Sequence, residues 1–154
     1  MPTLVLESLQ SLKEYVGREI ATTDWLLVTQ ERIAQFAEAT EDRQWIHTDP
    51  ERAQRESPYG ATIAHGFLTL SMMSQFMREA IQLPGSVRQT INYGLNRVRF
   101  PAPVRAGDKI RARVRLQSCR ELPGSVEAVF EITIETESGE KPSCLAEWIL
   151  RYYS

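Results

Sequence analysis

Residues 64–83 constrain this chain more than any other stretch. Phe67, Leu68, Leu70, Met72, Met73, Phe76 and Met77 recur at helical spacing, yet together they cover most of a helix circumference. A helix that is apolar nearly all round has to be enclosed by protein. Pro84-Gly85 is expected to stop it. The chain that follows supplies the enclosure, because residues 87–100, 110–116, 126–134 and 144–152 all read as strands. In the second of these, Ile110, Ala112, Val114 and Leu116 alternate with Arg111, Arg113 and Arg115, the pattern of a sheet covered on one face. In the first, the apolar phase shifts from Ile91, Tyr93 and Leu95 to Val98 and Phe100, which predicts an irregularity near Asn96.

The first third is expected to be mixed. Leu6, Leu9 and Leu12 predict a short helix within residues 4–15, with Ser8 as a cap and Gly17 after its end. Residues 18–28 read as extended. Thr29 is an N-cap candidate for a helix that runs to about Thr40, with Glu31 favourably placed in its first turn. Asp49 followed by Pro50 is a second helix start, and Ser57-Pro58-Tyr59-Gly60 a turn. One strand, then helices, then four strands, with no repeat or linker, predict one α+β domain spanning residues 1–154.

The remaining bulk properties narrow the partners. The formal charge of -2 leaves no basic footprint for nucleic acid. No apolar run reaches the ~20 residues that span a bilayer, and no secretion signal is visible at the N-terminus. Cys119 and Cys144 sit in apolar strand-like runs and read as buried free thiols, so a cytoplasmic location is expected.

The chain has two histidines, His47 and His65, and both fall within residues 40–77. Asp42 and His47 lie about 140° apart on a helix and on opposite faces of a strand. They can cooperate only from an irregular loop, for which Trp45 and Ile46 offer apolar anchors. There they either share one water as a general acid–base pair or serve as an ordinary capping aspartate and loop histidine. His65-Gly66 opens the apolar helix. Its free N–H groups, unobstructed at Gly66, suit a carbonyl oxygen gaining charge, or else the glycine merely permits tight packing. Zinc held by His47, His65, Asp42 and Asp49 is a weaker reading, since the spacing matches no helix-based ligand pair. Ser71 and Ser74 are polar positions on the buried helix, and a serine there commonly bonds back to its own helix. Arg97, Arg99 and Arg105 form a basic group suited to a nucleotide phosphate or to a solvated sheet edge. No phosphate-binding glycine loop or nucleophile elbow is present.

Taken together, Asp42, His47, Asp49-Pro50 and Ala64-His65-Gly66 before an apolar helix resemble the MaoC-like, (R)-specific enoyl-CoA hydratase family. The likeness extends through Phe100-Pro101-Ala102-Pro103-Val104 and Gly107-Asp108. Gln44-Trp45-Ile46-His47 and Ile91-Asn92-Tyr93-Gly94-Leu95-Asn96 look most like the nodulation protein N-like branch. The resemblance implies a hot-dog fold, in which a curved antiparallel sheet of about five strands wraps a long central helix. It implies reversible addition of water to a trans-2-enoyl-CoA, giving a (3R)-hydroxyacyl-CoA. Asp42 and His47 would then be catalytic, Gly66 would give the oxyanion N–H, and Ser74 would line the pocket. His65 and Arg97 are further candidates for substrate contact. No metal or cofactor is expected, the CoA thioester being the substrate, and a homodimer is implied. A thioesterase or a non-catalytic acyl-CoA-binding subunit on the same fold are the alternatives. Many family members have Asn-Pro where this chain has Gln44-Trp45, so the family's loop geometry and acyl-chain length are not carried over to this chain.

Overall fold

The computed structural model describes residues 2–154. The chain begins with a two-residue strand, β1 (Leu4–Val5), and a 3₁₀ helix (Leu9–Tyr15) in place of the single helix expected there. Ser8 does cap it, its hydroxyl accepting from the Ser11 N–H at 3.2 Å. Leu6, Leu9 and Leu12 are buried as their spacing requires. Gly17 then turns the chain at φ 85°, a left-handed conformation that glycine adopts without strain. The extended run that follows is two strands, β2 (Glu19–Thr22) and β3 (Leu26–Leu27).

Helix α1 (Gln30–Thr40) starts at Thr29, whose hydroxyl accepts from the Arg32 N–H at 3.1 Å. A single turn, α2 (Trp45–Thr48), and α3 (Pro50–Glu56) follow, the latter capped by Asp49 with Pro50 in the first position. The long apolar helix is divided in two. α4 (Gly66–Ser71) and α5 (Met73–Ala80) meet at Met72, whose backbone stays right-handed at ψ -14°. The helix also ends at Ala80, earlier than Pro84 predicts, because Ile81–Gln82 are captured as β4, parallel to β1. Nor is it apolar all round. Met73, Phe76, Met77 and Ala80 are buried, Ser74, Gln75 and Arg78 are exposed, and Phe67 is 70% exposed. One sheet face covers one side of a helix, and among the described residues the side that carries Ser74, Gln75 and Arg78 stays exposed.

The four long strands are β5 (Gln89–Arg99), β6 (Lys109–Leu122), β7 (Ser125–Thr136) and β8 (Cys144–Tyr153). The sheet runs β2-β6-β7-β8-β5, antiparallel throughout, with β3 also on β6. Thr23 breaks the β2–β3 run and offers its hydroxyl, not a carbonyl, to the Ala112 N–H at 2.9 Å. Every second residue of β6 and β7 is buried, from Ile110 to Leu116 and from Val126 to Ile134, in one core with the inner face of α5. The outer face carries ion pairs such as Arg111–Glu135 at 2.7 Å and Arg151–Glu127 at 2.8 Å. β5 is one of the two edges and slips register twice, between Asn92 and Gly94 and between Leu95 and Val98. The second slip contains the predicted irregularity at Asn96. Among the described residues, no helix is long and apolar enough to cross a membrane.

Candidate active site

Glu41 ends α1 in the left-handed region at φ 63°, the only non-glycine residue among those described to do so. That reversal turns the chain into Asp42, which is exposed, and then into α2. The segment is therefore not irregular throughout. Residues 42–44 are, and His47 sits on the single turn that follows. Four residues cannot hold a helix by themselves, since nucleation outweighs one turn of hydrogen bonds. Side chains around it do that work. The Thr48 hydroxyl lies 3.1 Å from the Arg43 carbonyl and 3.2 Å from that of Gln44, and the Arg52 guanidinium stacks over Trp45 at 4.3 Å. The Gln30 amide donates to the His47 carbonyl at 2.8 Å and accepts from the Thr62 hydroxyl.

The two imidazoles are the centre of the arrangement. Both are buried, with ring centroids 3.8 Å apart and planes inclined at 23°. Phe36 of α1 lies against the His65 ring at 4.9 Å. His47 Nδ1 is 2.6 Å from the Ile63 carbonyl, and His65 Nε2 is 2.9 Å from the Asp42 carbonyl. A carbonyl oxygen can only accept, so each of those nitrogens carries the hydrogen. The lone pairs are left on His47 Nε2 and His65 Nδ1, and the latter is buried with no partner. One polar atom from each of Asp42, His47 and His65 lies within 4.8 Å of the others. Asp49, the fourth residue of the zinc reading, is occupied in capping α3.

Burial pushes the His47 pKa below the ordinary imidazole range, and the neighbouring His65 adds to this. The Ile63 carbonyl and the Asp42 carboxylate pull the other way without reversing it. His47 is thus neutral near pH 7, with Nε2 free to accept a proton.

Gly66 follows His65 directly and is the first residue of α4, where no carbonyl one turn back can take its N–H. A Cβ built at this position would stand 3.3 Å from the Phe100 ring. The missing side chain is what lets Phe100 close this side while a cleft of 220 Å³ remains, lined by Ile63, Gly66, Thr69, Phe100, Pro103 and Val104.

The structure brings Asp42, His47 and His65 together, places Gly66 directly after His65 at the start of α4, and leaves Ser74 and Arg97 outside that group. Ser74 is eight residues beyond Gly66, roughly 12 Å along a helix axis at the usual rise. It lines a separate 390 Å³ cavity with Met77, Ile81, Leu83, Asn92 and Trp148. Ser71 bonds back to the Phe67 carbonyl at 2.7 Å, the ordinary fate of a helical serine. Arg97 is exposed on the outer side of β5, beside Arg99, Glu131 and Glu147. Sequence reasoning missed Gln30, Phe36 and Thr62. Gln30 sits in a first helical turn next to a cap, and Thr62 sits in a loop, so neither belongs to a pattern that marks it.

A buried imidazole with a free nitrogen, a carboxylate grouped with it and a helix-start amide next to the second imidazole lie on the helices and loop that accompany one antiparallel sheet. Residues 11–137 match the family described as MaoC like domain. The 3-hydroxyacyl-thioester dehydratase Z of Mycobacterium tuberculosis is 46% identical over 147 residues, 95% of this chain and 96% of that one. Nodulation protein N of Rhizobium leguminosarum bv. viciae is 41% identical over 143 residues, 92% and 89% of the two chains. The solved (R)-hydratase from A. caviae involved in PHA biosynthesis has a TM-score of 0.70 and 26% identity, covering 86% of this chain and 95% of its own. The chain belongs to the MaoC-like family, has the hot-dog fold, and is a hydro-lyase.

Proposed function

We propose that this protein is an (R)-specific enoyl-CoA hydratase, which reversibly adds water to a trans-2-enoyl-CoA to give a (3R)-hydroxyacyl-CoA. The observation that carries the reading is His47, its Nδ1–H held by the Ile63 carbonyl, its ring stacked on His65 and grouped with the Asp42 carboxylate, with Gly66 next in the chain to His65. The thioester carbonyl accepts from the Gly66 N–H. A water lies between Asp42 and His47. His47 Nε2 takes a proton from it as the oxygen bonds to C3, and the electron pair of the double bond moves onto the thioester as an enolate. Gly66 stabilises that charge, which develops only on the way to the transition state. Asp42 orients the water and passes on to C2 the proton that His47 has taken, which leaves both groups as they began. No metal takes part.

A homodimer joined along β5 accompanies this reading. That strand has one unpaired edge and exposes Ile91, Tyr93 and Leu95, a combination that monomers avoid. Arg97 would then lie near the subunit boundary, where a CoA phosphate can reach it. The dehydratase Z of Mycobacterium tuberculosis, named for acting on 3-hydroxyacyl thioesters, supports the substrate class.

Incubation with crotonyl-CoA tests the reading. Loss of the enoyl absorbance without release of thiol is expected. Release of free thiol would make the protein a thioesterase, and binding with neither change would make it a non-catalytic acyl-CoA carrier.

A further inference from the structure

The segment that leads into α4 touches both halves of the site. The Ile63 N–H donates to the Ile46 carbonyl at 3.0 Å, and the Ile63 carbonyl receives the His47 Nδ1–H. His65 holds the Asp42 carbonyl. These bonds run directly between residues 42–47 and residues 63–65. One tie runs through a third element. Gln30, half-buried in the first turn of α1, reaches the His47 carbonyl with its amide N–H and the buried Thr62 hydroxyl with its amide oxygen.

The His47 carbonyl needs such a partner. α2 is one turn long, and the chain leaves it at Asp49 with φ -118°, so no later N–H in the helix can come back to residue 47. An unpaired carbonyl here would let the turn rotate, and with it the imidazole. A primary amide is the side chain that can donate to one carbonyl and accept from one hydroxyl at once. Glutamate has the same shape but no donor at neutral pH.

We propose that Gln30 is a positioning residue for this hydration, which fixes the main chain of His47 relative to the segment that ends in the Gly66 N–H. Gln30 acts through His47 and touches no reacting atom. The inference rests on the hydratase reading above for its kinetic consequence, and on the hydrogen bonds alone for its structural one.

The test compares Gln30→Leu, Gln30→Glu and the native protein. Gln30→Glu keeps the volume and the Thr62 bond, loses the donor to His47 and adds a charge, whereas Gln30→Leu removes both bonds and adds no charge. If Gln30 merely fills space, Gln30→Glu behaves as native. If it positions His47, both variants lose kcat by roughly tenfold to a hundredfold, the scale of a displaced catalytic group, with KM changed by less than about twofold. A second readout is independent of turnover. Nitrogen-15 spectra of the His47 ring should show the hydrogen on Nδ1 in the native protein and a mixture of tautomers in both variants. Native kcat in Gln30→Glu overturns the proposal, as do unchanged ring signals. If the native protein fails to hydrate crotonyl-CoA, the hydratase reading falls and the ring signals still decide the role of Gln30. If both Gln30 variants fail to fold, Thr62→Val carries the test. It frees the amide while leaving the donor, and the same ring signals should shift in the same direction, an unshifted ring overturning the proposal.

Discussion

The β6–β7–β8 layer and the segment from residue 42 to residue 66 border the same molecule but are held together by opposite rules. In the layer, one pattern repeats. β6 and β7 are paired from Ile110 with Thr136 to Leu122 with Ser125, and the residues that point inward are interchangeable aliphatic and aromatic side chains. In the segment no contact repeats. Each holding bond is made once, by one donor and one acceptor: Gln30 to His47, His47 to Ile63, His65 to Asp42. A sheet built from many equal contacts spreads the loss of any one of them. A site built from single bonds concentrates it on geometry, where a small displacement costs rate without costing the fold.

The largest expected effect lies in the site. Asp42→Asn and His47→Gln should each reduce turnover of crotonyl-CoA by about 10²–10⁴-fold, the span of general acid–base catalysis, with melting temperature nearly unchanged. Unfolding of either variant would break the contrast, because it would make the site part of the scaffold.

Phe130→Ala reverses the pattern. Phe130 is fully buried at the centre of β7. Its truncation should cost about 3–5 kcal/mol in denaturant unfolding. The folded fraction should keep its turnover per molecule.

Gly66→Ala probes the border of the two regions. Its new Cβ would meet the Phe100 ring at 3.3 Å, and that ring is itself partly exposed. The stability cost should be about 1 kcal/mol, at the low end of overpacking, since the ring can shift outward. kcat/KM should fall more than stability does, and Phe100→Leu in the same chain should recover stability without restoring the full rate.

The pH profile sharpens the contrast. With its pKa lowered by burial and by His65, His47 stays a free base below the ordinary imidazole value of about 6.5. The rate should therefore hold below that pH and drop only on further acidification. The stability sign is fixed too. Below about pH 6.5 the unfolded chain binds a proton that the folded chain refuses, so stability is lost as pH falls from there toward the folded pKa. Rate and chemical denaturation measured over pH 4–8, a window of about four units around the reference value, check both.

The smallest effect belongs to the outer sheet face. Arg115 and Glu131 are 3.8 Å apart and both about half exposed. Arg115→Ala should change stability by no more than about 1 kcal/mol, read as a midpoint shift that shrinks further in high salt.

Legibility in the sequence divides along the same line. The alternation in Ile110-Arg111-Ala112-Arg113-Val114-Arg115-Leu116 survives folding because a period of two maps directly onto two faces. The caps at Thr29 and Asp49 were readable because a cap uses only its own neighbours three residues on. Asp42, His47, His65 and Gly66 could be picked out as candidates from residue type, spacing and family resemblance. The division of the helix at Met72 could not, nor its end at Ala80, because the capture of Ile81–Gln82 by β1 is made by residues almost eighty positions away.

By itself the sequence determined which residues face inward along each strand, where most turns fall, and which polar groups are available for chemistry, since all of these follow from local periodicity and local hydrogen bonding. Tertiary structure alone decided that two imidazoles 18 positions apart stack face to face, that their free nitrogens are Nε2 of one and Nδ1 of the other, and that Gln30 reaches across to hold His47. Those outcomes depend on distances between segments far apart along the chain, and no local pattern carries a distance.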